Sequence, residues 1–104
     1  MNNVVLLGRF TKEHNLEESK DGKTKILRNA IAVRRTDEIT DFVNVTFLGK
    51  LAETVEKYTK KGGRIAVQGE LHIQSYKDKD GNDKQFTGVL VNNIDIIDFK
   101  EEKK

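Results

Sequence analysis

Apolar and polar residues alternate along most of this chain, and the alternation breaks where a turn or a helix is due. From Phe42 to Leu48, Val43, Val45 and Phe47 recur at the period of two that a strand imposes and form a wholly apolar set that should face a core. Phe42, Asn44, Thr46 and Leu48 form the opposite set, polar in the middle but with an aromatic ring at one end and a leucine at the other. Apolar groups on an outward face need a reason. Two are open, base stacking and a subunit contact.

The same pattern predicts the remaining elements. Asn3 to Phe10 reads as a first strand, with Val4 and Leu6 on one side and Val5 and Leu7 on the other, so both faces call for burial. One face can enter the core of a small domain and the other is expected against another subunit, which makes Asn3, Val4, Val5, Leu6 and Leu7 candidates for an oligomer interface. Burial there is worth on the order of 1.5–3 kcal/mol per aliphatic side chain. Thr11 to Thr24 is polar with Asp21-Gly22 as a turn signal, and a hairpin and a mobile loop fit it equally. Lys25 to Arg35 predicts a second strand. Leu27, Asn29, Ile31 and Val33 share one face, where Asn29 needs a hydrogen-bond partner if buried. Arg28, Ala30, Ala32 and Arg34 share the other, where two small side chains between arginines make a shallow basic trough. Thr36 to Thr40 is a short link into Asp41 and the strand described above.

Gly49 to Lys61 carries the helical period. Leu51, Ala52, Val55 and Tyr58 fall on the core side, which reads Tyr58 as a core residue, while Glu53, Glu56, Lys57 and Lys60 face water. Glutamates early and lysines late suit the helix dipole, and Gly62-Gly63 ends the element. Arg64 to Tyr76 predicts a long strand. Its inward set is Ile65, Val67, Gly69, Leu71 and Ile73, and Tyr76 is a second aromatic at outward parity. Lys77 to Lys84 is a protruding hairpin with its tip at Asp80-Gly81, and Gln85 to Phe99 returns as the last strand with a bulge expected at Asn92-Asn93.

Size and charge narrow this picture. A chain of 104 residues holds one domain, expected over 1–99, followed by a short charged end at 100–104. The longest apolar run, Val4 to Leu7, is far too short for a membrane span, and no secretory leader opens the chain. With no cysteine there is neither a disulfide framework nor a thiolate metal site, which fits a reducing cytoplasm. The net charge of +2 says little, because a nucleic-acid partner needs local positive potential. Basic residues do gather at Arg34-Arg35, at Lys57 with Lys60-Lys61, and at Lys77, Lys79 and Lys84, as a binding patch or as solvated surface. His14 has no histidine or cysteine neighbour, and the aspartate-rich loop lacks the closing glutamate of a calcium loop, so no metal or cofactor is expected.

Five strand segments with one helix between the third and fourth predict an all-β, five-stranded Greek-key barrel, closed and antiparallel, with the layout of the OB-fold. The segments NNVVLLGRFTK, AIAVRRT, DFVNVTFLGKLAETVEKYTKKGGRIAVQGEL and SYKDKDGNDKQFTGVLV also resemble the bacterial and phage single-stranded DNA-binding protein family, in order and spacing, over about Met1 to Ile97. The resemblance implies an OB barrel assembled as a homo-oligomer, a tetramer ahead of a dimer. It implies sequence-independent coating of single-stranded DNA in replication, recombination and repair, in the cytoplasm of a bacterium or of a phage-infected host. Carried over by position, Phe42 matches a family aromatic, Leu48 stands where many members have phenylalanine, and Tyr76 matches the aromatic at the foot of the hairpin. Lys50, Lys61 and Arg35 match positions that are often basic along the DNA path. The departures are the absence of tryptophan, the short TDEIT link and Leu48, which cannot stack as a ring does, and these imply weaker stacking or a greater dependence on charge; His14 also replaces the proline usual after the first strand. The chain ends at KEEKK, without the long linker and acidic, phenylalanine-ended tip through which cellular members recruit partners, so a phage or plasmid type or a shortened chain is expected.

The resulting expectation is a groove in which Arg28, Arg34, Arg35, Lys50 and the hairpin lysines Lys77, Lys79 and Lys84 track phosphates while Phe42, Tyr76 and Phe86 offer flat faces to bases. Two other classes compete. A nuclease on the same scaffold needs clustered carboxylates and a base, which the loop and helix-surface acids do not supply. An OB module that binds protein or RNA predicts that loss of the Phe42 ring leaves binding to DNA oligonucleotides intact.

Overall fold

The computed structural model describes residues 1–100 and contains β1 (Val4–Phe10), β2 (Leu16–Glu18), β3 (Lys25–Arg34), β4 (Thr40–Leu48), α1 (Lys50–Tyr58), β5 (Arg64–Lys77) and β6 (Asp83–Ile96). Of the charged end expected at 100–104, residues 101–104 lie outside the described part. The polar segment Thr11 to Thr24 resolves as a hairpin. Its strand β2 pairs with the start of β3, Leu16 opposite Leu27, and the turn at Asp21-Gly22 places Gly22 at φ 72°.

The sheet runs β1-β5-β6-β4-β3-β2 and closes on itself, because β1 also pairs with β3 at Arg9↔Ala32 and Phe10↔Ile31. Five strands thus form the barrel of an OB-fold, and β2 continues the edge of β3 beyond the reach of β1. All neighbours are antiparallel except β4 and β6, which run parallel from Asn44↔Gly88 to Thr46↔Leu90, so the expected purely antiparallel barrel is corrected at this closure. Two close approaches make the closure possible. A Cβ on Gly8 would stand 2.7 Å from the Ala32 carbonyl oxygen where β1 crosses from β5 to β3. One on Gly69 would stand 2.1 Å from the Leu90 carbonyl oxygen. There the register slips: Gln68 faces Asn93 and Gly69 faces Val91, so Asn92 is the extra residue of the bulge.

The barrel interior holds Phe10, Leu27, Ile31, Val45, Phe47, Ile65, Val67 and Val89, and α1 plugs it with Ala52 and Val55. At nine residues α1 is too short to persist alone, so this packing is what stabilises it. The helix ends three residues sooner than its period predicts, because Thr59 turns extended at φ −129° and ψ 166°. Tyr58 therefore points to solvent and not into the core, and Thr59 is buried instead. The Thr59 hydroxyl donates to the Val55 carbonyl and accepts from His14 Nε2 at 2.7 Å, leaving His14 Nδ1 to accept from Asn29 Nδ2 at 3.2 Å. Asn29 is buried and fully used, since Nδ2 also donates to the Lys12 carbonyl and Oδ1 accepts from the Ala30 N–H. This network calls for a neutral imidazole, because a proton on Nδ1 would face the Asn29 amide donor. Burial, the largest influence, moves the His14 pKa in the same direction, below its usual value, against the pull of Glu56 and Glu13.

Candidate nucleic-acid interface

Directly paired residues of neighbouring strands share a face, so the register defines a surface. On β3 and β4 one face carries Ile26 with Leu48, Arg28 with Thr46, Ala30 with Asn44, Ala32 with Phe42, and Arg34 with Thr40. The parallel pairs Asn44↔Gly88 and Thr46↔Leu90 carry it onto β6, and the antiparallel pairs His72↔Gly88, Gln74↔Phe86 and Tyr76↔Lys84 carry it onto the projecting β5–β6 hairpin. The hairpin and barrel wall enclose a cleft of about 270 Å³ lined by Arg28, Thr46, His72, Gln74, Phe86 and Leu90, among others. Three rings stand out from this surface, Phe42 at 69%, Tyr76 at 52% and Phe86 at 47% of full exposure. Leu48 is exposed at the far end of β4.

The cations are less uniformly placed than the sequence suggests. Arg28 borders the cleft, 3.5 Å from Glu17, and Arg34 lies near the opposite end, 3.5 Å from Asp37. Both contacts are exposed and loose, so a phosphate can displace the carboxylate at little cost. Arg35 is held more firmly. Its guanidinium grips Asp41 with both arms, at 3.0 and 2.6 Å, and Asp41 pairs with Val33 on the side away from Phe42. That hydrogen-bonded fork also raises the pKa of Arg35. Lys84 shares the face of Tyr76, whereas Lys77 alternates to the other side and approaches Asp83 at 3.9 Å. Lys79 rides at the hairpin tip, where Asp78 Oδ1 accepts from the N–H groups of Asp80 and Asn82. Lys50 opens α1 just beyond Leu48, and Lys61 sits past its other end, beside the Gly62 turn.

Two groupings are not legible in the sequence. The cleft joins His72 and Gln74 to Arg28 only because the hairpin leans beside β3 and β4. A second cleft, about 440 Å³, brings Arg9 and Arg64 to Arg34 with Ala32, across three strands. Their outward parity was readable, but their meeting depends on barrel closure. The two faces of β1 separate as its alternation predicts: Val5 and Leu7 project into solvent while Val4 and Leu6 pack against the core. Among the described residues no three His, Cys, Asp or Glu side chains are placed to hold a metal ion, and no helix is long and apolar enough to cross a membrane.

The chain is similar to several known single-stranded DNA-binding proteins. Single-stranded DNA-binding protein 1 of Clostridium acetobutylicum is 35% identical over 108 residues, covering 98% of this chain and 98% of that protein. The single-stranded DNA-binding protein of Clostridium perfringens is 39% identical over 101 residues, covering 94% of this chain and 67% of the relative. Single-stranded DNA-binding protein 2 of Streptococcus agalactiae is 32% identical, covering 98% and 81%. The model of the single-strand binding protein family matches residues 1–97, and the chain belongs to that family.

Proposed function

We propose that this protein binds single-stranded DNA without sequence preference, as a non-enzymatic coat, across the continuous face of β3, β4 and the β5–β6 hairpin. The observation that carries the reading is the outward stand of Phe42, Tyr76 and Phe86 on one surface, next to Arg28, Arg34 and Lys84. Unpaired bases have free faces for such rings, whereas duplex DNA keeps its bases stacked and paired and should bind poorly. In proteins of this kind, stacking contributes about 1–3 kcal/mol per base, a value that belongs to the class and not to this chain in particular. Leu48, Lys50 and Lys79 extend the path at its margins, with Lys61 beyond the helix. Arg35 and Lys77, each facing a carboxylate on the other side, take a smaller part.

The binding unit is residues 1–99. Family membership supports roles in replication, recombination and repair. We further propose that copies associate through β1. Val5 and Leu7 form the apolar center of the contact and Asn3 its edge, while Val4 and Leu6 back it from the core side. A tetramer is favoured over a dimer.

Titration with oligo-dT tests the reading. Phe42→Ala should weaken binding about 5- to 150-fold, the equivalent of 1–3 kcal/mol, with the circular dichroism of the fold unchanged. Unchanged affinity in a folded Phe42→Ala protein would instead favour an OB module with another partner. Mass measurement in solution, with and without oligo-dT, tests the assembly.

A further inference from the structure

A second group of rings lies away from this face, where α1 ends. Phe99, 63% exposed, meets Tyr58 edge to face with ring centres 6.4 Å apart and planes at 69°. The Lys100 N–H donates to the Tyr58 carbonyl at 2.7 Å, which ties the segment after β6 to the helix end. Lys57 Nζ lies 5.1 Å from the centre of the Tyr58 ring, and Lys60, Lys61 and Lys100 are exposed close by in the chain. Neither ring belongs to the core cluster, and Tyr58, 37% exposed, is covered in part by Phe99. Among the described residues the acidic groups near these rings include Glu56 on the helix and Asp98, which Arg64 holds in a two-armed contact at 2.8 and 3.0 Å; Glu101 and Glu102 follow Lys100 in the sequence.

The cleft of Arg9, Arg34 and Arg64, whose Leu7 edge adjoins the β1 contact proposed above, lies between these rings and Phe42. On one side its Ala32 is the cross-strand partner of Phe42. On the other, Arg64 holds Asp98, the residue before Phe99, and Arg9 donates to the Gly62 carbonyl at 3.1 Å, next to Lys61. Arg9 and Arg34 therefore bridge the two ring groups, with Arg64 held to Asp98 beside them. Flat apolar faces beside mobile cations, continuous with a basic cleft, have the chemistry that takes nucleobases and phosphates together.

We propose that Tyr58, Phe99 and the surrounding lysines form a second stacking station for the same single strand, reached over the arginine cleft. A strand longer than the barrel face is then held at both places. This inference rests on the binding face proposed above. Because the chain has two tyrosines, Tyr76→Phe leaves Tyr58 as the only tyrosine emitter while keeping a ring at position 76. With oligo-dT of about 6 nucleotides, near the lower end for one barrel, Tyr58 emission should not change; with about 30 nucleotides it should be quenched. Phe99→Ala should weaken the long strand about fivefold or more and leave the short strand unaffected. The station is overturned if the long strand binds Tyr76→Phe without altering Tyr58 emission, or if folded Phe99→Ala holds the long strand as tightly as the unaltered protein. Short-strand affinity indifferent to Phe42→Ala would mark failure of the binding face itself, a separate result that removes the basis for both.

Discussion

The two halves of β5 have the same alternation and opposite fates. In the barrel half, Ile65 and Val67 are 0% and 1% exposed; in the projecting half, Leu71 and Ile73, at the same parity in sequence, are 40% and 57% exposed. The division falls at Gly69, where the bulge at Asn92 shifts the register and the hairpin leaves the wall. Before it, the inward side meets α1 and the opposite strands. Beyond it, β5 has β6 on one edge and, past the Asn2 side chain that bonds the Leu71 backbone, no paired strand on the other among the described residues. Alternation assigns a side chain to a face, but burial depends on whether another layer covers that face. What the barrel half spends on stability, the projecting half leaves free for contact.

The sharpest way to break this comparison is to cut the same residue type on each side of the bulge. Ile65→Ala should cost about 2–5 kcal/mol, through lost transfer energy and a residual cavity. Ile73→Ala should stay within about 0.5 kcal/mol. Urea denaturation of both variants measures the difference. Equal losses would mean that the back of the hairpin is covered in solution, for instance by a second copy.

The projecting half can then be divided by face. Tyr76 shares its side with Lys84 and Phe86, while Ser75 points the other way with Gln85. Tyr76→Ala should weaken oligo-dT binding by about 1–3 kcal/mol, and Ser75→Ala should leave it unchanged, with stability preserved in both. Equal effects would mean that the strand crosses the hairpin edge and does not follow one face.

Parity along β4 and β5 suffices to place Phe42 and Tyr76 outward, because each strand fixes its own alternation locally. The failures have a common origin. Alternation alone puts Leu71 and Ile73 in the core because it continues past the point where the covering layer stops. Tyr58 is assigned there because helical spacing continues past Thr59, where the chain turns extended and the threonine enters the core to meet His14. The barrel order was legible from the succession of elements, whereas the parallel closure of β4 on β6 and the arginine cleft were not. Both depend on strands distant in sequence meeting, and no single segment carries that information.

His14 gives the barrel half a pH dependence of its own. Its folded pKa lies below the usual value, so the unfolded chain takes up a proton first as pH falls. The stability it contributes is complete above about pH 6.5 and declines as pH drops from there toward the lowered folded value. Denaturation at pH 7.5 and 5.5 should show this loss, and His14→Gln should reduce the difference between the two. Binding of a short strand by the projecting rings should follow a different profile.

The smallest effect distinguishes two arginines close in sequence. Arg28 stands in the cleft with a loose partner 3.5 Å away, while Arg35 is locked by both arms to Asp41 on the side away from Phe42. If phosphates run along the cleft, Arg28→Gln should remove one contact and lower the salt dependence of log affinity by about 0.7, the value for single strands. Arg35→Gln should leave the salt slope as it was and cost at most about 1 kcal/mol of stability, because its fork is largely solvated. The slopes are decisive because they count phosphates directly, whereas a change in affinity alone can come from either arginine through a shift in the fold. A slope that falls for Arg35→Gln and not for Arg28→Gln would put the backbone of the strand outside the cleft, along the β3–β4 turn, with the bases alone reaching inward to the rings.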